Sequence, residues 1–137
     1  MSGQAPLVGV VLVSHSAAVA AAVAELAVGL AGGAATAPVA PAGGLPDGGL
    51  GTSEELIVRA AGSVDRGAGV AVLVDLGSAV LTVKALLAEG DELPDRTRLL
   101  DAPFVEGAVA AVVSASAGAD LDAVRAAAEE AYGYRKV

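Results

Sequence analysis

The apolar residues of this chain fall into runs of two kinds. Residues 7–13, "LVGVVLV", form a largely β-branched run without polar alternation. That pattern belongs to a strand buried on both faces of a parallel sheet. The run stops at "SHS", residues 14–16, and the period then changes. Val19, Val23, Leu26 and Leu30 recur at helical spacing among alanines, and "GLAGG" ends that helix. A short second strand is expected over residues 35–40. "PAGGLPDGGLGTSEE" follows, and its prolines and glycines read as a loop. Thr52 with Glu55 three residues later suggests a capping box. It would open a helix with Ile57, Ala60, Ala61 and Val64 on its inner face.

Residues 70–78, "VAVLVDLGS", repeat the buried-strand pattern and end on Asp75, Gly77 and Ser78. The next helix would carry Leu76, Val80, Val83 and Leu87 on one stripe. "EGDELPD" is a charged connector, and residues 97–100 make a short fourth strand. Pro103 sits early in a further helical stretch, where a missing N–H costs little. Val105, Val109, Val112 and Val113 would face inward there. Gly118 stops that helix, and Asp120 caps a last one bearing Leu121, Val124, Ala128 and Tyr132. "YGYRKV" is expected to be a partly exposed tail. Strand and helix alternate throughout. This predicts an α/β fold: an open, mostly parallel four-stranded sheet with helices on both faces, in a single domain over residues 1–137.

That architecture has a chemical consequence. Open parallel sheets bind ligands beyond the carboxyl ends of their strands, where the strand order reverses. With the order 2-1-3-4, strands one and three are neighbours, and His15 and Asp75 emerge side by side. The glycine-rich loop would bring Gly51, Thr52 and Ser53 to the same edge. A neutral imidazole nitrogen is a competent nucleophile near pH 7. Asp75 can fix its tautomer and favour the charge that develops on attack. Helix-start N–H groups, with the hydroxyls of Ser16, Ser78, Thr52 or Ser53, can hold a transferred phosphoryl group. Each residue also has a plainer reading. His15 can be an ordinary surface or capping residue, Asp75, Ser78, Thr52 and Ser53 can be helix caps, and the loop can be a simple connection.

Composition narrows the classes. The 137 residues carry a formal charge of −8 and only 2% aromatics. A nucleic-acid partner is therefore not expected, since neither a basic face nor stacking platforms can be built. There is no cysteine, and the single histidine excludes a multi-histidine metal site within one chain. "MSGQAP" has no basic n-region, and the longest apolar stretch is interrupted by Glu25 and glycines. The expectation is a cytoplasmic protein without stable membrane insertion.

At these residues the sequence resembles a known family. "GVVLVSHS", "GLGTS", "VLVDLGSAVLT" and "DAPFVEGAVAAVVSASAG" occur in order over nearly the whole chain. Together they resemble the phosphotransferase subunit of dihydroxyacetone kinase, the DhaM type. That family is related to the mannose-family enzyme IIA domain of the sugar phosphotransferase system (PTS). "SHS" alone is a weak signal, whereas "DLGSA" after a strand with "FVEGA" downstream is much more specific. The resemblance implies a phosphohistidine carrier. His15 would take a phosphoryl group from phosphorylated HPr and pass it to ADP held on the nucleotide-binding kinase subunit. A third subunit would hold dihydroxyacetone. Asp75 matches the supporting aspartate, and Gly51, Thr52 and Ser78 match positions lining the phosphoryl site; the family's dimers imply a homodimer. No cofactor beyond the carried phosphoryl group is implied. Some relatives carry fused donor domains, and a chain ending at Val137 is expected to use separate donors.

Three alternatives remain. A mannose-family enzyme IIA would hand phosphate to a sugar-specific enzyme IIB. A hydrolase built on Ser14 or Ser16 with His15 and Asp75 places the serine beside its own base, and no GxSxG elbow occurs. A non-catalytic regulatory module is the third, but "VSHS" lacks the clustered acids of a response receiver, and no GKS or GKT marks a P-loop.

Overall fold

The computed structural model describes residues 5–32 and 35–137. Strand β1, Gly9–Ser14, is buried at every position, as its unalternated pattern requires. It lies between β2, Val39–Gly43, and β3, Val70–Val74, and β4, Thr97–Leu99, pairs with β3. All pairs are parallel, and the order is β2-β1-β3-β4, the expected one.

Helices cover both faces. On one side, α1, Ala17–Ala31, α4, Phe104–Ser116, and α5, Leu121–Glu130, enclose Val10, Leu12, Ala71 and Leu73. On the other, α2, Glu54–Val64, and α3, Gly77–Glu89, enclose Val11, Val13, Val70 and Val72. Alternate residues of the same two strands thus feed two cores.

The second strand begins later than residues 35–40 and runs into the glycine- and proline-rich stretch. Pro41 is tolerated because β2 is an edge strand, where a missing N–H leaves no ladder bond unmade on the open side. Gly43 is required by contact: a Cβ there would sit 2.4 Å from the Ser16 carbonyl oxygen. The expected Thr52–Glu55 capping box is also displaced. Ser53 is the N-cap of α2, and its hydroxyl accepts the Leu56 N–H.

Helix phases differ from the expected stripes. In α1 the buried residues are Ala20, Val23, Ala24 and Ala27, while Val19, Leu26 and Leu30 are exposed. In α3 they are Ala79, Val83 and Leu86, and Leu76 is an exposed residue ahead of the helix. Pro103 stands just outside α4, which buries Gly107, Ala108, Ala111, Val112 and Ala115 and leaves Val105 and Val113 exposed. The inner face expected for α2 is buried as read. Asp120 caps α5, with Leu121, Val124 and Ala128 inside, and Tyr132 turns outward in the closing 3-10 turn, Ala131–Gly133. Gly32 ends α1 in the left-handed conformation; Gly33 of "GLAGG", like residues 1–4, lies outside the described residues.

Candidate active site at the sheet's carboxyl edge

Strands β1 and β3 end in register, with Val13 opposite Val74, and the Asp75 N–H continues the ladder to the Val13 carbonyl. The next side chains off each strand are therefore held by the sheet. His15 Nδ1 lies 2.9 Å from Asp75 Oδ1, and His15 Nε2 lies 2.6 Å from Ser78 Oγ.

The carboxylate of Asp75 is fully engaged. Oδ2 accepts the Ser14 hydroxyl at 2.9 Å and the His15 backbone N–H at 3.0 Å. Oδ1 accepts the Leu76 N–H at 2.8 Å as well as the ring. Burial by itself would raise this carboxyl. The His15 backbone N–H, the His15 ring and the Ser14 hydroxyl outweigh that effect and hold it below the usual carboxylate value. An ionised Asp75 accepts only, so the hydrogen of the neutral ring belongs on Nδ1. Nε2 then keeps its lone pair and accepts the Ser78 hydroxyl.

The other residues singled out from the sequence take part in the site to different degrees. The Ser16 hydroxyl caps α1 by accepting the Val19 N–H. Gly51 donates its N–H to the His15 carbonyl at 2.9 Å, which pins the glycine-rich loop beside the site. The Thr52 hydroxyl meets that of Thr82 at 3.0 Å, and Thr82 in turn donates to the Ser78 carbonyl. The Ser53 hydroxyl caps α2, and the ring's hydrogen-bond partners are Asp75 and Ser78 rather than Thr52 or Ser53. Gly77 opens α3 with Ser78 beside it.

Ser14, which the sequence offered only as the nucleophile of a disfavoured hydrolase, is a site residue that sequence reasoning missed. It is buried, and its hydroxyl stands between two partners: it accepts the Ser16 N–H at 3.1 Å and donates to Asp75. The available signal was a serine closing a fully buried strand, since a buried hydroxyl must find partners. A groove of about 520 Å³ adjoins the site; Asp75, Leu76, Gly77, Lys84, Phe104 and Tyr132 are among the residues that line it. Among the described residues there is no group of three or more His, Cys, Asp or Glu side chains able to hold a metal ion. No described helix is long and apolar enough to cross a membrane.

A family model and similar proteins point to one family. Residues 9–125 match the family model EIIA-man, described as PTS system fructose IIA component. The phosphoryl donor subunit DhaM of the PEP-dependent dihydroxyacetone kinase of Escherichia coli (strain K12) is 38% identical over 121 residues, covering 86% of this chain and 25% of that protein. This chain therefore spans about a quarter of the length of that relative. The phosphoryl donor subunit DhaM of PEP-dependent dihydroxyacetone kinase 2 of Listeria innocua is 32% identical over 119 residues, covering 86% of this chain and 94% of that protein. The crystal structure of a protein of unknown function, EF1359, superposes with a TM-score of 0.80 at 28% identity, covering 97% of this chain and 100% of that one. A sigma-54 interaction domain protein from Enterococcus faecalis shares the fold alone, with a TM-score of 0.70 at 18% identity over 95% of this chain and 93% of that one.

Proposed function

The chain belongs to the EIIA-man family of PTS system fructose IIA components, and on that premise we propose that it is a phosphohistidine carrier, the phosphoryl donor subunit of a PEP-dependent dihydroxyacetone kinase. In this reading His15 takes a phosphoryl group from phosphorylated HPr. It passes the group to ADP on the nucleotide-binding subunit, which serves the subunit holding dihydroxyacetone. The relatives named as DhaM support the choice of kinase. The observation that carries the reading is the Asp75–His15 pair at 2.9 Å, which leaves Nε2 as the nucleophilic atom.

The chemistry follows from that pair. The Nε2 lone pair attacks phosphorus, a nitrogen–phosphorus bond forms, and the bond from phosphorus to the donor breaks. Positive charge grows on the ring as this happens, and ionised Asp75 stabilises it through the Nδ1–H. The Ser78 hydroxyl, released from Nε2, can donate to a phosphoryl oxygen. The N–H groups that start α3 have no acceptor within the helix and suit the same anion. In the return step an ADP phosphate oxygen attacks, and the electron pair of the N–P bond goes back to Nε2. None of the residues assigned to the site is a lysine or arginine, a setting for brief residence of phosphate rather than tight retention.

Reconstitution with phosphoenolpyruvate, enzyme I and HPr tests the proposal. The expected product is one acid-labile phosphate on His15, and none on His15→Ala. Stable phosphorylation of His15→Ala would overturn it. The family description, a PTS fructose IIA component, also suits a second reading in which a sugar-specific enzyme IIB is the acceptor. Chasing the phosphorylated chain with the nucleotide-bearing kinase subunit or with an enzyme IIB separates the two.

A further inference from the structure

The carrier reading uses one ring nitrogen as a nucleophile, yet that nitrogen already has a serine on it. Besides the missing GxSxG elbow, the geometric objection to a hydrolase is that Ser14 and Ser16 adjoin their own base in the chain. It does not reach Ser78, which comes from a different element, α3, 63 positions away from His15. Ser78 Oγ lies 2.6 Å from His15 Nε2, and Asp75 Oδ1 lies 2.9 Å from Nδ1. A hydroxyl, an imidazole and a carboxylate in this order form the nucleophile, base and orienter of an acyl-transfer triad, which is recognised by geometry rather than by chain position.

Three surroundings make the triplet usable. Ser78 is exposed, so an electrophile can reach its oxygen. Gly77 and Ser78 open α3, which has no side-chain cap, so their N–H groups supply donors for an oxyanion. The groove beside Asp75, Leu76 and Gly77, the residue before Ser78, is lined by Phe104 and Tyr132 together with Lys84 and Asp101, and it gives room for a small ester with both apolar and polar parts. We propose that Ser78, His15 and Asp75 act as a serine-esterase triad toward small activated esters.

The step balances without any cofactor. Ser78 Oγ attacks the ester carbonyl while His15 Nε2 takes its proton. The carbon–oxygen bond to the leaving group breaks, and that group departs with the proton from Nε2. Water then attacks the acyl-serine with His15 as base, releasing the carboxylic acid and restoring the Ser78 hydroxyl. The same lone pair cannot serve both chemistries at once, so phosphate on Nε2 removes the base.

A fluorophosphonate probe tests this directly, because its phosphorus bonds to an activated serine with loss of fluoride. The expected result is one adduct on the peptide containing Ser78, together with hydrolysis of 4-nitrophenyl acetate. Ser78→Ala should lose both. His15→Gln, which keeps a polar side chain without a base, should slow labelling about a hundredfold, the usual scale of general-base assistance. Asp75→Asn should slow it too. Thermal melts of each variant establish that it is folded. No adduct on Ser78, an adduct on His15 instead, or an unchanged labelling rate in His15→Gln would overturn the proposal. Phosphohistidine formation, measured on the unmutated chain, stands or falls separately: the esterase needs the Ser78 oxygen as nucleophile and the carrier needs the His15 nitrogen, so absence of a Ser78 adduct says nothing against the carrier.

Discussion

At the scale of residues, Asp75 organises the site, and Ser14 organises Asp75. The Ser14 hydroxyl has its oxygen occupied by the Ser16 N–H, so its hydrogen goes to Asp75 Oδ2. Ser14→Ala removes a donor from an ionised acceptor and leaves the Ser16 N–H without its partner. The expected cost is about 1–3 kcal/mol of stability at neutral pH, the range for a buried group deprived of its partner. The pH dependence has a definite sign. The carboxyl is held below its ordinary value in the fold, so its stabilisation is full above the unfolded value and is lost as pH falls through the folded one. The gap between wild type and Ser14→Ala should therefore shrink in acid. Urea melts from neutral pH down to about pH 2, below the ordinary carboxylate pKa, check this; an undiminished gap would contradict it. His15, Asp75 and Ser78 were legible as a group because a parallel strand fixes where the residue after it emerges. Ser14 was not legible as a holder of Asp75, because a partner 61 positions away leaves no mark on local sequence.

At the scale of elements, the strands were easier to read than the helices. An amphipathic helix shows its phase through polar residues on the outer face. α1 has a single charged residue, Glu25, so large apolar side chains carried no directional information. Alanines took the inner face, and Val19, Leu26 and Leu30 were left outside. α2, with charged residues at Glu54, Glu55 and Arg59, was read in the right phase. The close seating of α1 gives a prediction that joins packing to chemistry. Gly43 pairs with Ser14 in the sheet and lies under the start of α1. A Cβ there would sit 2.4 Å from the Ser16 carbonyl oxygen and 2.8 Å from the Ala17 Cα, both backbone atoms. Gly43→Ala should destabilise by about 1–3 kcal/mol, the cost of overpacking. It should also shift the His15 ring resonances, because α1 must move away from β2. Gly29→Ala in the same helix meets nothing within 4 Å. It should leave those resonances in place and gain about 0.5–1 kcal/mol from the better helix former. Identical spectra for the two variants would refute the link between the β2–α1 contact and the site.

At the scale of the whole molecule, one sheet serves two cores. Leu12 and Leu73 point to the side of α1, α4 and α5, and Val11, Val13 and Val72 point to the side of α2 and α3. Right-handed crossovers leave few ways to join buried parallel strands, and the order β2-β1-β3-β4, taken as a condition in reading the sequence, is one of them. What pattern could not show is how tightly the two layers are coupled. β1 is buried at all its positions, and β3 at all but its last, so opening either layer bares one face of the same two strands on whose other face the second layer packs. The chain should therefore unfold as one cooperative unit. Leu73→Ala empties space in one core and Ile57→Ala in the other, each at a fully buried side chain. Each should cost about 2–5 kcal/mol, and each should move a single transition rather than split it. Calorimetry, with far-ultraviolet circular dichroism and the His15 resonance followed on the same samples, distinguishes the outcomes. Coincident midpoints in both variants are expected. If Ile57→Ala melted the α2–α3 layer while the His15 resonance kept its native position, the two layers would be separate units. The edge bearing His15 and Asp75 would then owe its order to the α1–α4–α5 core alone.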